Sequence, residues 1–282
     1  MKSPYHASSR WMAVVVFTLT LGAGTIFSEE TDRTRDGLVG PVRNMTTITG
    51  GSTTMRTYDR AGALLETISR LAAPVDDPQA REQVRRFVYV YDDKRQRLRE
   101  MSQDQDDPPY LTRRYAYDAA GRERAEAAYH MCGTFSSLQV FSYNHDGRLH
   151  EQLIYQFRSL GNRVYEYDGQ ARLKAVLVYK NRQLQSTVHY RYDDQGRISE
   201  HVEVMANATP GNKTAYGYDE RGRLVAEEFT NLFDPSVNAQ STYEYDDRGN
   251  WTKKTTRRVG GSKEGLSQDK SLEITERTID YF

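Results

Sequence analysis

Aromatic and polar residues alternate along most of this chain, in short runs separated by polar stretches that contain glycine. In the most regular copies, residues 190–198 read YRYDDQGRI and residues 216–224 read YGYDERGRL. Alternation with a period of two on both sides of a polar turn is typical of a β-hairpin. Asp194, Gln195 and Gly196 separate Asp193 from Arg197. Three-residue loops of this kind favour a type I turn followed by a left-handed residue, a conformation that glycine adopts readily.

The hairpin pattern is marked by a tyrosine–aspartate pair that returns every 24 to 33 residues, with Tyr143-Asn144 as one degenerate copy. Such regular spacing indicates an array of one repeated unit rather than a single irregular enzyme domain. The sequence therefore predicts about eight antiparallel β-hairpins and assigns structural roles to the repeat residues. These are Tyr58, Asp59, Tyr91, Asp92, Tyr117, Asp118, Tyr143, Tyr167, Asp168, Tyr192, Asp193, Gly196, Arg197, Tyr218, Asp219, Gly222, Arg223, Tyr245, Asp246 and Gly249.

The length of the loop also predicts which side chains face each other. Tyr192 is expected opposite Ile198, and the same register continued along both strands separates an apolar face from a polar one. The apolar face would hold Val188, Tyr190, Tyr192, Ile198, Val202 and Val204, with Glu200 as an exception. The polar face would hold His189, Arg191, Asp193, Arg197, Ser199, His201 and Glu203.

Two polar features of these faces could carry chemistry. His189 and His201 would oppose each other and could share a metal ion with Glu203, although a coincidence of surface histidines is the simpler interpretation. Glutamates also recur two places after the repeat leucine, where Glu100, Glu151 and Glu200 should face Tyr89, Phe141 and Tyr190. A hydrogen bond to a tyrosine hydroxyl explains such repetition better than a glycan contact or a glycosidase acid–base pair, because a catalytic pair is needed only once.

Two copies depart from the regular turn. Residues 91–98 hold one residue more than the other copies and place Gln96 where glycine would stand, and a second copy has Ala171 at the glycine place. The backbone of these two turns is therefore expected to differ locally.

From about Arg56 onward, the repeated Tyr-Asp and Gly-Arg motifs resemble the YD-repeat, or rearrangement-hotspot (RHS) repeat, family. The resemblance implies that the hairpins lie side by side in one long curled sheet, which large members of the family close into a shell around a toxic polypeptide. This chain has too few hairpins to suggest a closed container, and because about thirty residues follow Trp251, no C-terminal toxin domain is expected. These last residues are expected to add one more pair of strands.

The N-terminus predicts a location outside the cytoplasm. Lys2 and Arg10 precede an apolar run that ends in small residues, so residues 1–28 are predicted to be a signal peptide, with an uncleaved membrane anchor as the alternative. Residues 29–44 would be a linker and residues 45–282 the repeat domain.

With 39 basic and 39 acidic residues, nothing suggests a nucleic-acid partner. The single cysteine, Cys132, excludes an intramolecular disulfide and is expected to be an unreactive loop residue.

Recognition without catalysis is the function that these features favour. Connections at the end away from the Tyr-Asp turns vary in length, and such loops on a rigid scaffold often bind ligands. We therefore expect a secreted, periplasmic or cell-envelope protein, with no cofactor, that recognises a glycan or a cell-surface protein at its long-loop end. The acidic loop with Asp104, Asp106 and Asp107 is one candidate contact.

An accessory role in a larger RHS-type assembly is the second candidate. An open sheet would present two free edges and a broad apolar face, so either the sheet curls on itself or another chain covers it. Self-association or strand pairing with an RHS-type partner would satisfy those edges.

Overall fold

The computed structural model describes residues 31–73, 81–105, 107–156, 158–259 and 272–282. This part of the chain holds a short helix, α1 (Asp32–Arg35), and a single antiparallel sheet of eighteen strands. A 3-10 turn, Pro235–Val237, lies between β15 and β16. None of the described helices is long and apolar enough to cross a membrane. The strands are β1 (Val42–Thr49), β2 (Ser52–Tyr58), β3 (Leu64–Leu71), β4 (Gln83–Tyr91), β5 (Arg97–Asp104), β6 (Tyr110–Tyr117), β7 (Glu123–Tyr129), β8 (Phe135–Tyr143), β9 (Leu149–Gln156), β10 (Ser159–Tyr167), β11 (Leu173–Lys180), β12 (Gln183–Tyr192), β13 (Ile198–Met205), β14 (Pro210–Tyr218), β15 (Leu224–Asn231), β16 (Ala239–Tyr245), β17 (Trp251–Arg258) and β18 (Leu272–Tyr281).

The sheet is a closed barrel. Each strand pairs with the next along the chain, and β1 pairs with both β2 and β18, from Val42 opposite Tyr281 to Thr49 opposite Thr275. The prediction of an open, curled sheet of eight hairpins was therefore wrong, as was the expectation that the hairpins are too few to close. Closure needs β1, which carries no Tyr-Asp pair, and it satisfies the two edges that an open sheet would leave unpaired.

The tight turns follow the prediction. The Asp193 N–H donates to the Arg197 carbonyl over 2.8 Å, and Gly196 has a φ of 78°. Ala171 takes the same left-handed conformation, with a φ of 69°, so the local difference expected for that turn is not found. The turn in residues 91–98 has the same length as the others, contrary to the prediction. Arg95 occupies the glycine place there, with a φ of 62°.

A β-bulge beside each of these turns changes the register. Tyr192 faces Ile198 as predicted, but Arg191 already faces Glu200, so Ser199 is an extra residue without a partner. One extra residue moves every later side chain of that strand to the opposite face. The assignment of faces along β13 was therefore wrong, and His201 lies opposite Tyr190.

Because of the bulge, the two predictions made from the register, a histidine pair and a row of glutamates facing aromatic residues, have to be corrected. His189 pairs with Val202, so the two histidines lie on opposite faces and share no metal site. Glu100 does face Tyr89, as predicted. The other two glutamates do not face the aromatic residues: Phe141 lies opposite Gln152, and Tyr190 opposite His201.

The tyrosine-bearing face of the sheet is its inner face. Tyr58 is 1% exposed, whereas Val88 and Val90, on the other face, are 39% and 38% exposed. Barrels of sixteen to eighteen strands enclose a space wider than side chains alone can fill. We call the enclosed space the lumen, and its wall is the surface that the repeats build.

The segment of residues 31–41 packs against the end of the barrel that carries the Tyr-Asp turns. The predicted linker thus contains α1 and the first residues of β1. The buried cluster here comprises Leu38, Val42, Met45, Tyr58 and Leu64. The Val39 N–H also donates to Asn250 over 2.6 Å, which ties the segment to the turn before β17.

Candidate functional site

Repeat residues lock neighbouring hairpins together. The Tyr192 hydroxyl donates to the Leu173 carbonyl of the preceding hairpin over 2.7 Å, and the Arg172 guanidinium lies 4.5 Å above the Tyr192 ring. Arg172 in turn donates to Asp168 over 2.8 Å. The same bond to a preceding backbone carbonyl is made by Tyr117, Tyr143, Tyr167, Tyr218 and Tyr245.

The repeat aspartates are occupied within their own turns. Asp118 accepts hydrogen bonds from the Arg122 backbone N–H and side chain, and these bonds lower the pKa of Asp118. Asp168, Asp193 and Asp219 are held in the same way by Arg172, Arg197 and Arg223. These contacts organise the hairpins, so a ligand site has to be sought elsewhere on the barrel.

The first repeat units also contact the segment of residues 31–41, although Tyr91 makes the repeat bond too, to the Leu64 carbonyl over 2.6 Å. Tyr58 and Arg56 donate to Asp36, and the Tyr91 hydroxyl donates to Asp32 over 2.6 Å. Arg97 occupies the place of the repeat leucine, opposite Tyr91, and donates to Asp32 over 2.5 Å. This departure from the apolar pattern supplies a partner for a buried carboxylate of α1.

A second set of inner residues was missed by the sequence reasoning. Each lies eight residues after the aspartate (or asparagine) of its repeat and faces the residue two places before the repeat tyrosine. Their constant spacing of eight residues from the repeat aspartate was visible in the sequence. The bulge, however, concealed that they share the inner face of the sheet with the tyrosines. They are Thr67, Glu100, Glu126, Gln152, Val176, His201, Glu227 and Lys254, opposite Arg56, Tyr89, Tyr115, Phe141, Tyr165, Tyr190, Tyr216 and Tyr243.

These polar inner residues mostly satisfy one another. Arg113 lies 3.3 Å from Glu100 and 3.1 Å from Glu126, and burial raises the pKa of Glu126. Gln139 donates to Glu126 over 3.3 Å, and Gln152 donates to Gln139 over 2.6 Å. The resulting chain of hydrogen bonds braces β5 to β9 from within.

The opposite arc of the wall is built around His201. Its ring lies between those of Tyr190 and Tyr216, with centroids 5.8 Å from each. The Tyr216 hydroxyl is 3.1 Å from His201 Nδ1, and burial lowers the pKa of His201. Lys254 donates to Glu227 over 2.9 Å. The arrangement is a packed polar wall whose groups already have partners.

The residues considered for chemistry or binding are not assembled into a reactive site. No group of three His, Cys, Asp or Glu side chains in the described ranges could hold a metal ion. Cys132 is exposed, with its sulfur 3.1 Å from the Thr134 hydroxyl. Asp104 pairs with Arg85 and accepts a hydrogen bond from Tyr110, and the Asp107 N–H donates to the Asp104 carbonyl. Asp106 lies outside the described residues.

A shallow, open groove lies on the outer face of the described barrel. It lies over β9, β10 and β11, towards the long-loop end, and has a volume of about 420 Å³. Its lining consists of Leu153, Tyr155, Leu160, Asn162, Tyr179 and Arg182. We call it the outer groove.

Strand pairing brings the groove residues together. Tyr155 faces Leu160 across β9 and β10, and Asn162 has Leu153 on one side and Tyr179 on the other. Tyr155 is 41% exposed. The Asn162 amide donates to Glu151 over 2.9 Å, while its carbonyl oxygen has no hydrogen-bond partner among the described residues. That oxygen is itself closed to solvent, so the groove combines two tyrosine rings and a cation on an apolar floor.

Comparisons with known proteins leave the family open. No protein family and no curated protein matches the chain. Among solved structures, a chain of TcdB2-TccC3-TEV is 16% identical with a TM-score of 0.37, and the match covers 72% of this chain but 11% of that one. The Tc holotoxin pore of Photorhabdus luminescens is 12% identical with a TM-score of 0.37, covering 77% of this chain and 14% of that one.

A porin-like protein from Bacteroides uniformis is 10% identical, with a TM-score of 0.47. That match covers 86% of this chain and 99% of the other. All three likenesses are too distant to carry an argument about function. The proposals below are therefore argued from this chain's own residues.

Proposed function

We propose that this protein is a non-catalytic recognition protein of the cell envelope and that it binds a glycan in the outer groove. The observation that carries the proposal is the groove itself. Ligand sites are commonly clefts of about 300–1,000 Å³ with mainly apolar and aromatic linings and a few polar groups that orient the ligand. The outer groove has this size and this lining.

Its chemistry suits a sugar. The exposed faces of Tyr155 and Tyr179 can pack against the apolar face of a pyranose ring, and tyrosine offers both an apolar body and a polar tip. The tyrosine hydroxyls at the groove can exchange hydrogen bonds with sugar hydroxyls. Arg182 adds a cation at the groove, which favours a glycan with an acidic group.

The location in the envelope rests on the predicted signal peptide and on the outer surface. Arg191 and Lys213 both pair with Glu200 on the outer face, and Lys253 lies 3.5 Å from Glu244. Charged pairs across the strands are typical of a surface in contact with water.

Membership of the YD-repeat family is part of the same proposal. Its support is the interlocking contact made by the repeat tyrosine and arginine in successive hairpins. The second candidate, an accessory subunit that adds a strand to a partner, is less favoured because every strand of the barrel is already paired on both sides.

A glycan array with the whole protein tests the proposal. We expect saturable binding to one class of sugar, with acidic members preferred. The double variant Tyr155→Ala, Tyr179→Ala should weaken that binding by about tenfold or more, since aromatic anchors carry a large share of binding energy. Tyr129→Ala, an aromatic replacement on the same outer face but outside the groove, is the matched control and should bind as the wild type does.

The outcomes separate the parts of the proposal. Unchanged binding by the folded double variant would place recognition elsewhere, and the long loops would be mutated next. A blank array from a protein with an intact β circular-dichroism spectrum would rule out the glycan. Arg182→Gln should reduce binding of acidic sugars more than that of neutral ones.

A further inference from the structure

A half-buried cation in the wall of the described barrel lacks a hydrogen-bonded anionic partner. Arg277, on β18, points its guanidinium at the ring of Trp251, with a separation of 3.4 Å from the ring centroid. Its Nε and Nη1 atoms are buried and have no hydrogen-bond partner among the described residues. Buried N–H groups are almost always paired in folded proteins, so an unpaired guanidinium calls for an explanation.

A second arginine, Arg56, lies nearby and also has a buried nitrogen without a hydrogen-bond partner among the described residues. Arg56 on β2 pairs with Met45 of β1, and Arg277 pairs with Thr47, two residues further along the same strand. Arg56 Nη1 donates to Asp36, but its Nε is buried without a partner in the described part of the chain. We call Arg56 and Arg277 the arginine pair.

The local charge does not balance. Asp36 is the carboxylate that attracts Arg277, and it already accepts hydrogen bonds from Arg56 and Tyr58. Two guanidinium groups therefore share one carboxylate. Burial lowers the pKa of Arg277 to about 10, and Arg56 contributes by repulsion. The guanidinium has lost water without gaining a full partner.

We propose that the arginine pair binds one small oxyanion on the inner wall of the barrel, next to Trp251. An oxyanion would accept hydrogen bonds from the three unpaired nitrogens, and bonds between charged groups are the strong ones. Arginine is suited to this role because its planar group matches carboxylate and phosphate oxygens. The Arg277 side chain as a whole is half-buried while its Nε and Nη1 atoms are closed to solvent, so binding requires the guanidinium to turn from Trp251 towards the lumen.

The same chemistry has two sources, free inorganic phosphate and the carboxylate of a sugar acid. The site is separate from the outer groove, since it lies on the inner face and on other strands. Its test therefore does not depend on the proposed glycan function.

Trp251 can report binding directly. The sequence holds two tryptophans, Trp11 and Trp251, so the whole chain with Trp11→Phe has a single indole, which touches Arg277. Sodium phosphate and sodium glucuronate are titrated separately, with chloride used to keep the ionic strength constant. We expect a saturable change in fluorescence and a rise in melting temperature. A response to one probe only identifies the source of the oxyanion, and no saturable response to either overturns the proposal.

Variants show whether the arginine pair is responsible. Arg277→Met should weaken the response by about tenfold or more, because the main donor is removed. Arg257→Met changes an exposed arginine of β17 and is the matched control, with an expected response equal to that of the wild type. An Arg277→Met protein that binds as tightly as the control would refute the assignment.

Melting temperatures with and without phosphate separate a loss of binding from a loss of stability. In buffer without oxyanions, Arg277→Met should melt no lower than the wild type, because it removes a buried cation that lacks a full partner. Phosphate should then raise the melting temperature of the wild type and of Arg56→Lys, but not of Arg277→Met. A large loss of stability in Arg277→Met, together with an unchanged response to phosphate, would show that Arg277 is purely structural.

Discussion

Exchanging glycine and alanine between two neighbouring turns tests how the repeat turns are stabilised. Gly196 and Ala171 occupy the same place in adjacent hairpins, with φ angles of 78° and 69°. A Cβ built on Gly196 meets no atom within 4 Å. The variants Gly196→Ala and Ala171→Gly therefore change the backbone preference with little change in packing.

The expected magnitude follows from two opposing effects. A left-handed conformation costs a residue with a Cβ about 1–2 kcal/mol. Alanine recovers about 0.4–1 kcal/mol of this because it restricts the unfolded chain more than glycine does. Gly196→Ala should therefore lower the free energy of unfolding by about 1 kcal/mol, and Ala171→Gly should raise it by a similar amount.

Urea denaturation followed by circular dichroism measures both changes. The double variant should return close to the wild type, since independent sites add within about 0.5 kcal/mol. A stabilised Gly196→Ala protein, or a destabilised Ala171→Gly protein, would refute the reasoning. Gly62→Ala gives a contrast: its Cβ would lie 2.7 Å from the Thr31 hydroxyl oxygen, so this variant should lose clearly more stability than Gly196→Ala.

Three further predictions concern the contacts between elements. Tyr192→Phe removes the bond to the Leu173 carbonyl and should lower the free energy of unfolding by about 1 kcal/mol in urea. Asp32→Asn leaves Arg97 without its carboxylate and should cost about 3 kcal/mol; a loss near zero would mean that α1 contributes little to stability. Burial, followed by repulsion from Glu126, raises the pKa of Glu123 from 4.5 to about 7. The folded protein then binds this proton more tightly than the unfolded chain, so stability should fall as pH rises from about 4.5 to 7. Glu123→Gln should flatten that fall, which is at most about 3 kcal/mol, and an unchanged pH profile would contradict the assignment.

Local structure could be predicted from the sequence because short-range sterics determine it. Tyr192 faces Ile198, and Gly196 is left-handed, because three residues between two alternating runs allow few turn geometries. The final pair of strands was likewise predicted for the residues after Trp251.

The register beyond the turn could not be predicted with the same argument. One bulged residue, Ser199, reverses the faces of everything that follows it in β13. His201 therefore lies on the inner wall between two tyrosines, where the alternation pattern did not place it. The outer groove has a similar origin, since its tyrosines and Asn162 come from three strands and meet only when the sheet forms.

The sequence by itself determined the repeated hairpin, its turn and the tyrosines that join one hairpin to the next. Only the tertiary structure decided that the array closes, because β1 and β18 lie far apart in the chain and meet only after the twist of all the intervening strands has accumulated. Arg97 shows the same division: in the sequence it departs from the repeat, and in the barrel it is the partner of Asp32. Contacts between distant segments depend on the whole curvature of the sheet, which no single repeat encodes.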